Sequence, residues 1–408
     1  NHHQPGKQQI RMGKSFSHTV IKAQKRWVCN NIQVKNLHDI KIAIVHDQLT
    51  QYGGAEKTLE ALLTIFPQAD IYTGVFKPIN ISQNLLKRQI ISGKLPDWLG
   101  FLLPLVFEGF DLRKYDLVIS EGTAWPKGVL TNPTQLHISY IYTPPRFLYG
   151  YATEGQRRDK WYYKPFLKIV DHFLLMWDYS AAQRPDFILS ISQETAKRVK
   201  KFYKRDSQVI YPPVDTQKEQ HLSTEASADN NQAFYLCISR LAAYKNIDLL
   251  IQAVNQTTFK LKIAGTGKEE DRLKELAGNN VELLGFVTDA EKSRLLATCR
   301  GLIFPTDQED FGIVPVEALA YGKPVLCHRS GGPLETVIEG ETGLFFDDLE
   351  PTKLAKKLSE FDKNITAGIY KKEKAIESAK KFSVERFKQE FFDFTKQKWE
   401  ENQHAGTT

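Results

Sequence analysis

Several signatures that settle a reaction on their own are missing from this chain. No Asp-x-Asp pair occurs, so the usual carboxylate pair for holding a metal–diphosphate is absent. No Cys/His cluster has zinc spacing, and there is no GxSxG nucleophile elbow. Gly265 opens the run GTGKEE, which lacks the upstream glycine and the Ser/Thr of a phosphate loop. Glu270 stands where a dinucleotide fingerprint needs its third glycine. Cysteine is scarce, four residues with no CxxC, which predicts reduced thiols and a cytoplasmic location. Cys237, Cys299 and Cys327 sit in or beside apolar runs and read as buried small hydrophobes, while Cys29 has no assigned role. No apolar run approaches the ~18 residues of a membrane helix; residues 101–107 and 173–177 are far too short. Acidic residues are rare at the start. Residues 1–40 hold seven Lys+Arg and one Asp, without periodicity or a secretory apolar core, and read as a disordered basic extension outside the fold.

What is present is an ordinary globular composition, 41% hydrophobic and 25% charged. At 408 residues, two domains are expected. The net charge of +7 is uneven. Residues 1–214 carry 29 Lys+Arg against 17 Asp+Glu, and residues 215–408 carry 26 against 31. A basic first half beside an acidic second half suggests an anionic partner for the first: a phosphate-bearing substrate, a phospholipid surface or a nucleic acid. No nucleic-acid motif is present, so a nucleic-acid partner is not expected.

Hydrophobic patterning gives the architecture. KIAIVHDQL, from Lys41, is nearly continuous and reads as a strand buried on both faces. A helical run over 56–65 follows, with Gly53 and Gly54 between them, where bare backbone N–H groups can meet a phosphate. Strand-like runs at 71–75, 117–120, 137–142 and 187–192 alternate with amphipathic stretches, the pattern of a parallel sheet with helices on both faces. A polar spacer over 217–232 precedes a second alternating unit from Ala233. The expected domains are 41–214 and 215–382, both Rossmann-like and facing a central cleft. A long amphipathic helix over 383–402 can cross back to the first domain.

Residues 302–346 read strand, loop, helix, strand and glycine loop, with Glu309 and Glu317 flanking Phe311-Gly312. The helix is expected over 315–321 and the glycine loop at Gly331-Gly332. That order places a loop and a helix N-terminus at the C-terminal edge of a parallel sheet, where open α/β folds bind anions. Arg240 and Lys245 follow another strand, and two cations there suit a diphosphate. Gly265 and Gly267 follow the next strand, and Val287 the one after.

These segments carry a resemblance. SRLAAYKNIDLLIQA, IAGTGKEEDRLKEL, LGFVTDAEK and PTDQEDFGIVPVEALAYGKPV are together similar to the donor half of family-4 retaining glycosyltransferases, which have the GT-B fold. The likeness runs from about residue 41 to 394. YGGAEKTLEALL resembles the family's Gly-Gly loop and EDFGIVPVE its Glu-x7-Glu signature. YTPPRFLYG resembles the branch that includes bacterial mannosyltransferases of surface-polysaccharide assembly. The resemblance implies that Glu317 accepts hydrogen bonds from the ribose hydroxyls of the nucleotide, from the start of its helix. It implies that Glu309 contacts the donor sugar and that Phe311, Gly312 and Ile313 offer backbone N–H groups to it. Arg240 and Lys245 would neutralise the leaving diphosphate without a metal. Gly54 would approach the phosphates from the opposite domain, with Val287 near the base.

One position departs from the pattern. Tyr142 stands where that branch usually has a His near the anomeric carbon, and Tyr is a poor base at neutral pH. His137 reads as core, and His46, at the end of the first strand, reads equally as core or as cleft. No carboxylate nucleophile is evident in the first domain, so same-face attack is expected. The function expected is transfer of a hexose, mannose or glucose first, from a GDP- or UDP-sugar to a glycan or lipid-linked hydroxyl, with no further cofactor. A nucleotide-sugar epimerase on the same fold and a nucleotide-sugar-binding protein that has lost catalysis are the alternatives. The basic, aromatic stretch 157–168 suggests a peripheral membrane contact or an anionic lipid-linked acceptor, against a plain solvated helix face.

Overall fold

The computed structural model describes residues 36–37, 39–79, 81–95, 97–151, 164–216 and 234–405. The basic extension, apart from a few residues at its end, the polar spacer and most of the basic stretch 157–168 therefore lie outside the described residues, as does Cys29.

The first domain is one parallel sheet. Its strands are β1 (Ile42–Leu49), β2 (Asp70–Phe76), β3 (Ile90–Ser92), β4 (Leu117–Gly122), β5 (Leu136–Ile141), β6 (Phe187–Ser190) and β7 (Gln208–Val209). Their spatial order is β3-β2-β1-β4-β5-β6-β7. The second domain repeats the plan with β8 (Phe234–Ile238), β9 (Lys260–Ala264), β10 (Val281–Gly285), β11 (Gly301–Phe304), β12 (Val325–His328) and β13 (Gly343–Phe346), in the order β10-β9-β8-β11-β12-β13. Every strand pair in both sheets is parallel. Strand order reverses between β1 and β4 and again between β8 and β11. Connections leave to opposite sides there, which opens a crevice at the C-terminal ends of the strands.

The boundaries differ from the sequence reading in instructive ways. β5 ends at Ile141 and β6 at Ser190, so Tyr142 leaves the sheet; Ser192, a helix start signal in the sequence, does cap the next helix, its Oγ accepting from the N–H of Thr195 at 3.0 Å. β3, β7 and β13 are short, and the sequence reading missed them. The helix expected over 315–321 is Ile313–Ala320, because Gly312 starts it from a left-handed φ of +86°. Pro315 then falls in the first turn, where its missing N–H costs nothing. Glu317 is therefore the fifth residue of that helix and not at its start.

Two chain crossings join the domains side by side. The N–H of Val214 donates to the carbonyl of Phe382 at 2.8 Å. Tyr211, Phe311 and Phe382 form a ring cluster there, with centroids 5.1 to 5.8 Å apart. The helix Val384–Ala405 then runs back over the first sheet. Phe391 meets Phe66 and Tyr140 edge-on, at 6.5 and 5.8 Å, and is fully buried. Cys237, Cys299 and Cys327 are buried free thiols, as expected. Burial pushes the thiols of Cys237 and Cys299 up to about 12, so they stay protonated.

Phe391→Ala should lower unfolding free energy by about 3–5 kcal/mol, the usual cost of emptying a buried ring site. Chemical denaturation checks this, and a loss below about 1 kcal/mol would mean that the last helix does not brace the first domain.

Candidate active site

The crevice narrows to a cavity of about 390 Å³. Gly54, Ala55, Thr58, Thr123 and Tyr142 line it from the first domain. Arg240, Lys245, Glu309, Phe311, Gly312 and Ile313 line it from the second. Two helices aim their N-termini at this space, Gly54–Ile65 and Ile313–Ala320. Each brings first-turn N–H groups, which have no partner within the helix, and the positive end of its dipole, so the cavity suits an anion. Gly54 packs closely against the opposite helix: a Cβ there would stand 2.5 Å from Ile313 Cδ1 and would displace the end of that side chain. Gly53 caps the first helix from extended backbone, and its N–H donates to Glu56 Oε2 at 2.7 Å.

Arg240 leaves β8 and is exposed, with its Nη2 3.1 Å from the Tyr244 hydroxyl. Lys245 is nearly buried at 7% exposure, and its Nζ meets Glu309 Oε2 at 2.5 Å. Glu317 does not line the cavity. Its Oε1 takes Lys292 Nζ at 2.6 Å, and Lys292 is a partner the sequence reading missed. Burial alone would lower the Lys292 pKa, but the Glu317 carboxylate outweighs it and holds Lys292 charged. Gly53, Gly265 and Val287 also lie outside the cavity lining. Gly265 has a φ of +139° and touches the Ser239 carbonyl so closely that no Cβ fits. Val287 is half-buried just beyond β10, beside the exposed Phe286.

The loop between β11 and the Ile313 helix is pinned by the glycine loop after β12. The N–H of Gly332 donates to the Glu309 carbonyl at 2.8 Å. A Cβ on Gly332 would lie 2.3 Å from Phe311 Cα, and one on Gly331 2.2 Å from the Glu309 carbonyl oxygen. The two glycines are there for close backbone approach.

Beneath Tyr142 lies a buried polar cluster that the sequence reading did not find. His46 and Glu121 face each other in register across β1 and β4. His46 Nδ1 is 2.6 Å from Glu121 Oε1, and Glu56 Oε1 is 4.0 Å from His46 Nε2. All three are at most 2% exposed. The Tyr142 hydroxyl donates to Glu121 Oε2. Burial, then the Glu121 charge, pushes the Tyr142 phenol well above its ordinary value. Tyr142 is thus a neutral phenol that lines the cavity and donates its proton to Glu121. His46 belongs to this floor and His137 to the core, bonded to Ser120 Oγ at 2.8 Å and pushed down to about 3 by burial. The available signal was that His46, Glu121 and Tyr142 all fall at strand ends on the same edge.

Two parallel doubly wound domains closing on one anion-seeking crevice define the GT-B architecture. Residues 219–382, most of the second domain, match the family model described as Glycosyl transferases group 1. The chain is 31% identical over 210 residues to an uncharacterized glycosyltransferase of Methanocaldococcus jannaschii, a match covering 50% of this chain and 58% of that one. It is 24% identical over 380 residues to the alpha-1,3/1,6-mannosyltransferase ALG2 of Dictyostelium discoideum, covering 76% and 87%. Among solved structures, Anabaena HepE in complex with UDP superposes with a TM-score of 0.65 at 20% identity, over 87% of this chain and 99% of that one. The sucrose-phosphate synthase of Thermosynechococcus elongatus reaches 0.70 at 16%, over 88% and 98%. At such identities these structures speak to the fold alone.

The His46 cluster makes a prediction about pH. Burial opposes charge on His46, but Glu121, Glu56 and Asp47 outweigh it and raise its pKa above the ordinary value. A pKa raised on folding stabilises fully below the unfolded value of about 6.5 and loses that contribution as pH rises through the folded value. The gap in melting temperature between the wild type and His46→Gln should therefore narrow as pH rises above about 6.5. A gap that widens would mean that His46 is buried neutral.

Proposed function

We propose that the protein is a metal-independent retaining glycosyltransferase that moves a hexose from a nucleoside diphosphate sugar to a hydroxyl of a glycan or lipid-linked acceptor. The observation that carries this reading is the convergence of two helix N-termini, Arg240, Lys245 and Glu309 on one cavity. The diphosphate would lie between the helix N-termini, with Arg240 and Lys245 as counter-charges in the place a metal takes elsewhere. Glu309 would release one of its oxygens from Lys245 to the sugar hydroxyls. The N–H groups of Phe311, Gly312 and Ile313 would face the same sugar. Glu317, with Lys292, would hold the ribose beyond the cavity, with Gly265 and Val287 toward the base.

The chemistry follows from what faces the reacting carbon. Glu121, the buried carboxylate beneath Tyr142, is turned to His46 and Tyr142 and not free to act as a nucleophile. The acceptor oxygen would attack from the face the diphosphate leaves. The new bond from carbon to acceptor oxygen forms as the bond to phosphate oxygen breaks, and the acceptor proton passes to the departing phosphate. Tyr142 would accept a hydrogen bond from a sugar hydroxyl. The mannosyltransferase relatives favour mannose as the hexose moved, and GDP- and UDP-sugars are the donors to test first.

The same reading places the protein in the cytoplasm with a peripheral membrane contact. The helix Lys164–Ala181 turns Ile169, Phe173 and Met176 outward at 60%, 61% and 51% exposure, and its spacing puts them on one stripe. No described helix is long and apolar enough to cross a membrane. Phe173→Asp should reduce co-sedimentation with anionic vesicles severalfold without changing the melting temperature. Equal sedimentation of the two proteins would remove the membrane contact.

A thermal-shift screen across GDP-, UDP- and ADP-sugars identifies the donor, since binding raises apparent stability by mass action. With that donor, Arg240→Ala and Glu309→Gln should each lower transfer about a hundredfold or more, as loss of an electrostatic stabiliser does elsewhere. Full turnover in either variant would overturn the site assignment. Donor consumed without an acceptor would indicate the epimerase, and donor bound without transfer an inactive binding protein.

A further inference from the structure

Asp310 lies between the two functions of its loop, the Glu309 carboxylate and the backbone N–H groups from Phe311 on, yet neither role uses it. Its side chain points across the crevice to the first domain. Arg198 Nη1 and Arg146 Nη1 both donate to Asp310 Oδ1, the latter at 3.2 Å. The same two arginines donate to the Gln308 carbonyl, each at 3.0 Å. Ser192 Oγ donates to the Asp310 carbonyl at 2.6 Å. A single loop turn is thus gripped at three acceptors by three side chains of the opposite domain.

The grip has the marks of a built contact. Arg198 is buried at 2% exposure, although a surface helix normally leaves Arg in water. Its guanidinium lies 4.6 Å over the Tyr151 ring, and that of Arg146 lies between Tyr151 and Tyr244, at 5.6 and 5.2 Å. Tyr244 adjoins Lys245, so the stack reaches the cation that holds Glu309. Gln308 has a left-handed φ of +52°, unfavourable for a residue with a side chain, and both arginines bond its carbonyl. A second contact runs the other way. Glu335 of the second domain accepts from the N–H groups of Gln193 and Glu194, at 2.8 and 3.0 Å, and so caps the helix that carries Arg198.

We propose that Asp310 is a positioning residue, and that its capture by Arg146 and Arg198 couples closure of the two domains to the placement of Glu309 and the Phe311–Ile313 N–H groups around the donor. In the closed form both guanidinium groups converge on Asp310, and Arg198 is also paired with Glu194 at 3.2 Å. Loss of the Asp310 charge leaves two neighbouring cations less well balanced in a partly dry crevice, which favours opening. When the domains part, the turn from Gln308 to Asp310 loses its five anchoring bonds from the first domain, and Glu309 keeps its contacts with Lys245 and the Gly332 N–H. Donor transfer is thereby confined to the closed form, where water is excluded from the reacting carbon.

This inference rests on the transferase reading for its kinetic arm only. Asp310→Asn, Asp310→Glu and Arg146→Gln are compared with the wild type in the full chain. Small-angle scattering reads the separation of the domains, calorimetry reads affinity for GDP and UDP, and steady-state kinetics read transfer. For Asp310→Asn we expect a larger radius of gyration and a fall in kcat of about ten- to a hundredfold, the scale of a misplaced reacting group. Affinity for the free nucleoside diphosphate should change less than about threefold, because Arg240, Lys245 and Glu317 are untouched. Asp310→Glu should restore most of kcat, which a merely structural loss would not allow. Arg146→Gln, at a less buried position, should show a weaker form of the same split, and decides the matter if Asp310→Asn does not fold. An Asp310→Asn protein as compact as the wild type and equally active would overturn the proposal. So would a parallel loss of affinity and kcat that Asp310→Glu leaves uncorrected. If the wild type transfers no sugar at all, the transferase reading fails, while scattering and calorimetry still decide whether Asp310 holds the domains together.

Discussion

The loop from Gln308 to Gly312 must hold still without secondary structure of its own, and the remainder of the site depends on that. Its carbonyls, its two carboxylates and its one ring are held from three directions. The Gly331-Gly332 loop supports it from behind within the second domain. The Phe311 ring anchors it in the aromatic cluster at the crossing between domains. Arg146, Arg198 and Ser192 secure it from across the crevice. Each support removes a different freedom, so the backbone N–H groups that begin the next helix emerge in a fixed direction. Preorganised donors of this kind are effective because they need no reorganisation when charge develops in front of them.

A second regularity is that the charges of the site are already paired. Lys245 holds Glu309, and Lys292 holds Glu317. A cleft built to receive an anion would otherwise expose unbalanced cations beside low-dielectric walls, which is costly. On the proposed reading, the carboxylates would turn to the hydroxyl groups of the arriving ligand. The same economy appears under Tyr142, where Glu121 is balanced by His46 on one side and a phenol proton on the other. The Tyr at this position therefore comes with its own supporting floor.

Much of the architecture was legible because it rests on local rules. Near-continuous apolar runs followed by glycine and an amphipathic stretch can hardly be other than strand, turn and helix, and both sheets were recovered in outline. The failures were also local in kind. β3, β7 and β13 are two to four residues long, too short for periodicity to register. The helix after Gly312 begins earlier than its apolar face suggests, because a glycine in the left-handed region can start a turn that the pattern does not mark. The buried cluster escaped because His46, Glu56, Glu121 and Tyr142 come from four separate elements, and each taken alone is an ordinary polar residue near a strand or helix end.

By itself the sequence determined the order of elements, the edge of each sheet at which charged and glycine residues collect, and the pairing of two glutamates around one loop. These follow from side-chain periodicity and backbone freedom, which act over a few residues. Only the tertiary structure decided which charge meets which. Lys245 finds Glu309 across 64 residues, Lys292 finds Glu317 across 25, and Arg198 finds Asp310 across 112. Electrostatic pairing depends on distance through space, and that distance is set by how two sheets close on one another.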